Sequence, residues 1–172
     1  MTMDPDPISP IREYALGLLG RRAYSCGDLT QRLVSKGHDP NLVDLAIRRL
    51  VDCGLLDDEA LARAMAEATV AKKPASAALI EQKLHARRIP RDIAERVVAE
   101  VLDGVDPVEA AARLARAMLG AHRPKAGAAN RQRIGAALAR RGFDADIISE
   151  ALERAGLRQP QPDVSFNQEH GP

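Results

Sequence analysis

Apolar residues recur along this chain three and four positions apart, which is the spacing of one buried face on an amphipathic helix. The first such segment carries Ile11, Ala15, Leu18 and Leu19. Glycine, proline and aspartate interrupt the pattern at short intervals, and these residues favour turns and helix ends. The pattern therefore predicts a series of short helices joined by tight turns.

Local signals predict where the next two helices begin and end. Ser25 is a predicted N-cap, and Gly37 is suited to closing that helix in the left-handed conformation. Asp39 followed by Pro40 predicts the start of a third helix, because aspartate caps helices and proline is favoured in the first turn. Gly54 is expected to end it. These three helices predict one compact unit.

The same arrangement of apolar residues recurs twice more. Leu33 aligns with Leu84 and Leu138, at spacings of 51 and 54 residues. We therefore predict an all-α protein made of three tandem three-helix repeats in an elongated, curved array. Three further sets of aligned apolar positions support the alignment: Leu29, Ile80 and Ile134; Leu42, Ile93 and Ile147; Ile47, Val98 and Leu152.

The alignment also predicts the organisation of the chain. Residues 1–10 and 157–172 are rich in proline and lack hydrophobic periodicity, so both segments are predicted to be disordered. Residues 120–130 are rich in glycine and alanine and predict a longer connection inside the third repeat. The predicted repeats span residues 11–56, 57–104 and 105–156.

The composition favours helices and argues against several protein classes. The chain has no tryptophan and few aromatic residues, so a base-stacking platform for single strands is not expected. No apolar run approaches the roughly 20 residues of a membrane span, and the N-terminus lacks the features of a secretory signal. We expect a cytoplasmic protein without a membrane partner, in which Cys26 and Cys53 are reduced.

Basic side chains are the candidate partner-binding residues. The net charge is only +1, but the first and third repeats carry +2 and +3 and the middle repeat −1. Lys36, Arg87 and Arg141 align in the last turn of each second helix, where the helix dipole favours cations and an acidic or polyanionic partner would also bind. Both interpretations remain open. The other candidates are Arg21, Arg22, Lys83, Arg88, Arg131, Arg133 and Arg140.

Sequence templates for catalysis and metal binding are absent. There is no phosphate-binding G-x-x-x-x-G-K-[ST] loop, no H-E-x-x-H helix and no cysteine–histidine spacing suited to zinc. The four histidines are scattered, and the carboxylates stand at predicted helix starts, where the dipole accounts for them. We therefore expect no enzymatic activity, no metal and no cofactor.

Three segments, in order, resemble the RecX family of recombinase regulators. Residues 14–25 (YALGLLGRRAYS) resemble the opening of that family. Residues 54–59 (GLLDDE) resemble its most recognisable segment, and residues 140–144 (RRGFD) resemble a segment near its C-terminus. The likeness covers residues 11–156. In the second repeat Pro74 and Arg88 stand where the family usually has glycines.

The resemblance implies a protein that binds the RecA filament on single-stranded DNA and inhibits the recombinase, ATPase and co-protease activities of RecA. Such a protein modulates DNA repair, homologous recombination and the SOS response without a cofactor. We expect a monomer, with weak direct binding to DNA left open. Two alternatives also remain open, a helix-turn-helix-like protein that binds DNA directly and a generic helical-repeat adaptor. The third helices argue against the former, because acids such as Glu95 and Glu100 repel phosphate.

Overall fold

The computed structural model describes residues 7–120 and 127–158, which form nine α-helices and no strand. The all-α prediction is confirmed for these residues. In chain order the helices are α1 (Ser9–Leu19), α2 (Cys26–Ser35), α3 (Pro40–Asp52), α4 (Asp58–Lys72), α5 (Ala77–His85), α6 (Arg91–Val101), α7 (Pro107–Gly120), α8 (Gly127–Ala139) and α9 (Ala145–Arg154).

The helices pack in three groups of three, α1–α3, α4–α6 and α7–α9, each around its own apolar core. The aligned leucines Leu33, Leu84 and Leu138 are fully buried, one in each core. The chain divides after Val105 into two compact units. The first two helix groups belong to one unit and the third group forms the other. The predicted three-helix repeats are thus observed, while their bounds stay predictions.

The turn after the second helix is built in the same way in every group. Its residue of positive φ is Gly37 in the first group, Arg88 in the second and Gly142 in the third, with φ of +96°, +53° and +80°. A left-handed conformation costs a residue other than glycine about 1–3 kcal/mol. Arg88 therefore has the left-handed backbone conformation that glycine has in the other two groups, at a cost in free energy.

Helix starts follow the predicted capping signals. The Ser25 hydroxyl accepts a hydrogen bond from the backbone N–H of Asp28 at 2.9 Å. The Asp39 carboxylate accepts from the N–H groups of Asn41 and Leu42 at 2.8 and 3.2 Å. Because these side chains satisfy backbone donors that a helix leaves free, the two helices begin where the sequence predicts.

Apolar residues just outside the predicted repeats, one on each side, belong to the folded cores. Helix α1 begins at Ser9, and Ile8 before it is fully buried in the first core. Leu157 at the other end is buried in the third core. Burial of these two apolar side chains orders segments that the hydrophobic pattern assigned to disordered ends. Residues 1–6 and 159–172, predicted to be disordered, lie outside the described residues.

The predicted connection in the third repeat is partly helical. Helix α8 begins at Gly127, so residues 127–130 are part of a helix, and the prediction of a connection there is wrong. Asn130 is buried within that helix, one turn before the buried Ile134. Tertiary packing of α8 therefore overrides the weak local preference of a glycine- and alanine-rich segment. Residues 121–126 lie outside the described residues.

Candidate partner-binding surfaces

Arg87, one of the three aligned basic candidates, lies where the first and second helix groups meet. Its Nε donates to Oδ2 of Asp28 at 2.7 Å, and its Nη2 donates to the carbonyl of Ala23 at 2.7 Å. The hydroxyl of the fully buried Ser25 donates to the backbone carbonyl of Arg87. The guanidinium is thus engaged within the chain, in what we call the polar joint between the first two groups.

One further hydrogen bond and one close approach of the backbone belong to the polar joint. The backbone N–H of Cys26 donates to Oδ1 of Asp58 at 2.8 Å, which ties the start of α2 to the start of α4. A β-carbon placed on Gly27 would lie 2.7 Å from the carbonyl oxygen of Arg88 and 2.8 Å from its β-carbon. The joint therefore needs a glycine at 27, where the backbone of Arg88 approaches closely.

Arg22 and Lys36 lie over aromatic rings. The Arg22 guanidinium carbon is 3.7 Å from the centroid of the Tyr24 ring, and Nη1 of Arg22 is 3.8 Å from the same Asp28 carboxylate that Arg87 contacts. Nζ of Lys36 is 6.0 Å from the centroid of the Tyr14 ring. Both side chains are exposed, so their positive charges remain open to solvent.

A groove of about 420 Å³ lies along α1 and α2, and we call it the α1–α2 groove. Arg21 was a candidate, whereas Arg32 on α2 was missed, although it stands one turn before Lys36 on the same helix. Neither Arg21 nor Arg32 forms an ion pair with any described residue. The groove is lined by Pro10, Glu13, Tyr14, Gly17, Leu18, Arg21 and Arg32.

The remaining candidates of the second group lie apart from this groove. Nζ of Lys83 contacts Oγ1 of Thr69 at 3.3 Å, within its own group. Arg88 is exposed and lines a shallow depression together with His85 and Arg91. Lys83 thus supports the packing of α4 on α5, and Arg88 is open to a partner.

Two of the third group's candidates contact residues of their own group. Nη1 of Arg131 donates to the carbonyl of Leu157, and its Nη2 donates to Oγ of Ser149 at 3.3 Å. Nη2 of Arg133 donates to Oδ1 of Asn130 at 3.4 Å. Both arginines are half-buried. Arg131 ties α8 to Ser149 of α9 and to Leu157, whereas Arg133 contacts a residue of its own helix.

Arg140 and Arg141 stand in the turn after α8 rather than in its last turn. The same holds for Arg87 after α5, while Lys36 is the C-cap of α2. Arg140 is exposed and forms no ion pair with the described residues, and Arg141 is half-buried. Arg140 is therefore the more accessible charge of this pair.

The third helix of each group carries no net positive charge. The formal charges of α3, α6 and α9 are 0, −1 and −2. Several of their arginines pair with carboxylates, as in Arg48 with Asp44 at 2.5 Å and Arg154 with Glu150 at 2.7 Å. A helix that enters the major groove needs cations toward phosphate, so these helices are poor recognition helices.

The described residues offer neither a reactive thiol at Cys26 nor a cluster of metal ligands. Burial, together with the neighbouring Asp58 carboxylate, raises the pKa of the Cys26 thiol to about 11, so it is protonated at neutral pH. No group of three histidine, cysteine or acidic side chains in residues 7–120 and 127–158 could hold a metal ion. Over the same residues, no helix has the length and apolar character to cross a membrane.

Two family models match this chain. One describes the first three-helix domain of RecX and matches residues 12–50. The other describes the third three-helix domain of RecX and matches residues 105–152. These ranges cover most of the first helix group and most of the third.

Named relatives extend the likeness over most of the chain. The regulatory protein RecX of Halorhodospira halophila is 33% identical over 149 residues, which cover 84% of this chain and 88% of the relative. The regulatory protein RecX of Chlorobium limicola is 30% identical over 149 residues, which cover 86% of this chain and 91% of the relative. The crystal structure of RecX from Lactobacillus salivarius superposes with a TM-score of 0.73 at 22% identity, over 88% of this chain and 98% of that one, and so shares the fold.

Proposed function

The chain belongs to the RecX family of regulatory proteins, and from this membership we propose that it binds the RecA filament on single-stranded DNA and inhibits RecA. One observation carries the proposal: relatives named as regulatory protein RecX match over four fifths or more of both chains. The inhibited activities are strand exchange, ATP hydrolysis and the co-protease function. The protein thereby modulates DNA repair, recombination and the SOS response, as a monomer in the cytoplasm.

The proposed mode of action is occupation of a surface, without catalysis and without a cofactor. The open cations belong to different helix groups, Arg21 and Arg32 to the first, Arg88 to the second and Arg140 to the third. Single contacts of this kind are weak, but contacts held on one chain add through their effective concentration. A filament repeats the same surface many times, so such a chain binds it more tightly than it binds one subunit.

We expect the protein, added at or below the RecA concentration, to reduce ATP hydrolysis by RecA on single-stranded DNA. The physical reason is that a chain bound to the filament blocks subunit addition or the movements of turnover. Phosphate release and strand exchange are the measurements, with duplex DNA binding measured in parallel. If RecA activity is unchanged at several-fold excess while naked duplex DNA is bound tightly, the direct DNA-binding alternative is correct instead.

We expect Arg140→Glu to weaken binding to the filament by about tenfold at low salt, an effect of about 1.4 kcal/mol that fades as salt rises. Arg113→Glu on α7 is the matched control, since Arg113 is also exposed, lies in the same unit and undergoes the same change of charge. Anisotropy of labelled filaments gives both affinities. Equal losses in the two variants would show that only the overall charge matters.

A further inference from the structure

The α1–α2 groove is lined by a glycine, Gly17, in the last turn of α1. Glycine is among the least favourable residues in a helix interior. Packing does not require a glycine at position 17, because a β-carbon placed there would lie more than 4 Å from every described neighbouring atom. The missing side chain leaves an accessible strip of helix between Tyr14 and Leu18, both of which line the groove.

The groove presents cations that the described residues leave without acidic partners. Arg21 follows α1 and Arg32 belongs to α2, so the two guanidinium groups reach the groove from different parts of the first helix group. Lys36 adds a charge next to the Tyr14 ring, at 6.0 Å from its centroid. Glu13 is the one acidic residue in the lining, so the lining has a net positive charge.

We propose that the α1–α2 groove binds an acidic peptide segment that also carries apolar side chains. Carboxylates of the segment pair with Arg21 and Arg32, because guanidinium and carboxylate groups form paired, directional hydrogen bonds. An apolar side chain lies over Gly17 against Tyr14. The inference rests on the proposed function only for the identity of the protein that carries the segment. The chemistry of the segment follows from the lining of the groove.

The lining favours a peptide over a nucleic acid. Single strands are held by several aromatic rings and a continuous track of cations, and this groove has one ring. The Glu13 carboxylate interrupts the cations and repels phosphate, whereas a peptide can place a neutral residue beside it. The apolar surface of Tyr14 and Leu18 matches an aliphatic side chain.

The test measures anisotropy of a fluorescein-labelled peptide of alternating glutamate and leucine with the full-length chain. A peptide with serine in place of leucine and an oligothymidylate of equal charge are the comparison probes. We expect both to bind about tenfold more weakly than the first peptide. Gly17→Leu fills the groove and improves helix propensity, so it should weaken peptide binding by about tenfold without lowering the melting temperature.

Charge variants sharpen the same test. Arg32→Glu should weaken peptide binding by about tenfold, and Glu13→Gln should strengthen it by about twofold. Arg12→Glu is the control, because Arg12 is exposed on α1 and does not line the groove. It should change the affinity by less than about twofold.

Three outcomes would overturn the inference. The first is that a folded Gly17→Leu variant binds the peptide as tightly as the wild-type chain does. The second is that oligothymidylate binds more tightly than the peptide and that Gly17→Leu abolishes this binding. The third is that the wild-type chain self-associates and that Gly17→Leu abolishes the self-association. RecA inhibition is measured separately with the wild-type chain. Peptide binding without RecA inhibition would reject the proposed function and leave the groove assignment standing, while the reverse would reject the groove alone.

Discussion

Replacing Leu33, Leu84 or Leu138 by alanine is expected to lower the free energy of unfolding by about 2–5 kcal/mol in each case. All three side chains are fully buried, and each lies in the core of a different helix group. Alanine removes apolar contacts and leaves a cavity that short helices refill only in part. Urea unfolding followed by circular dichroism measures the change.

The design of this experiment also tests the repeat alignment. Leu55→Ala is the control, because that side chain is 50% exposed and its removal should cost no more than about 0.5 kcal/mol. Leu33 and Leu84 share one compact unit, whereas Leu138 lies in the other. A loss comparable to the control at any of the three leucines would contradict their equivalence.

The polar joint should be the most sensitive polar feature of the chain, and we expect Ser25→Ala to cost about 2–4 kcal/mol. The substitution removes a helix cap, worth about 1 kcal/mol, and leaves the Arg87 carbonyl without its hydroxyl donor, worth about 1–3 kcal/mol more. Thermal or urea unfolding of the full chain gives the value. The variant should also loosen the attachment of α2 to the second helix group.

Ser76→Ala is the matched control for this prediction. Ser76 caps α5 with the same backbone conformation, with φ and ψ of −76° and 162° against −77° and 162° at Ser25. Its hydroxyl accepts from the N–H of Leu79 at 3.2 Å within one group. We expect it to cost about 1 kcal/mol. Equal losses at the two serines would mean that the hydroxyl of Ser25 contributes nothing to the joint.

The candidate surfaces were predictable only in part. The sequence identifies which residues are basic, and two of the candidates, Arg21 and Arg140, are exposed in the structure. It does not show that Arg87 faces Asp28, 59 positions earlier, since that pairing depends on how two helix groups meet. Arg32 was missed because its exposure beside Arg21 depends on the packing of α1 against α2.

The sequence by itself determined the helices and their three-fold repetition. Hydrophobic periodicity and capping are properties of the local sequence, so the sequence identifies Leu33, Leu84 and Leu138 as core positions and Ser25 as a helix cap, and the structure shows both. Only the tertiary structure decided that Ser25 also bridges to Arg87. That hydrogen bond joins residues distant in sequence, and its free energy exists only once the groups have packed. The burial of Ile8 and Leu157 in the first and third cores likewise depends on the packing of the helices.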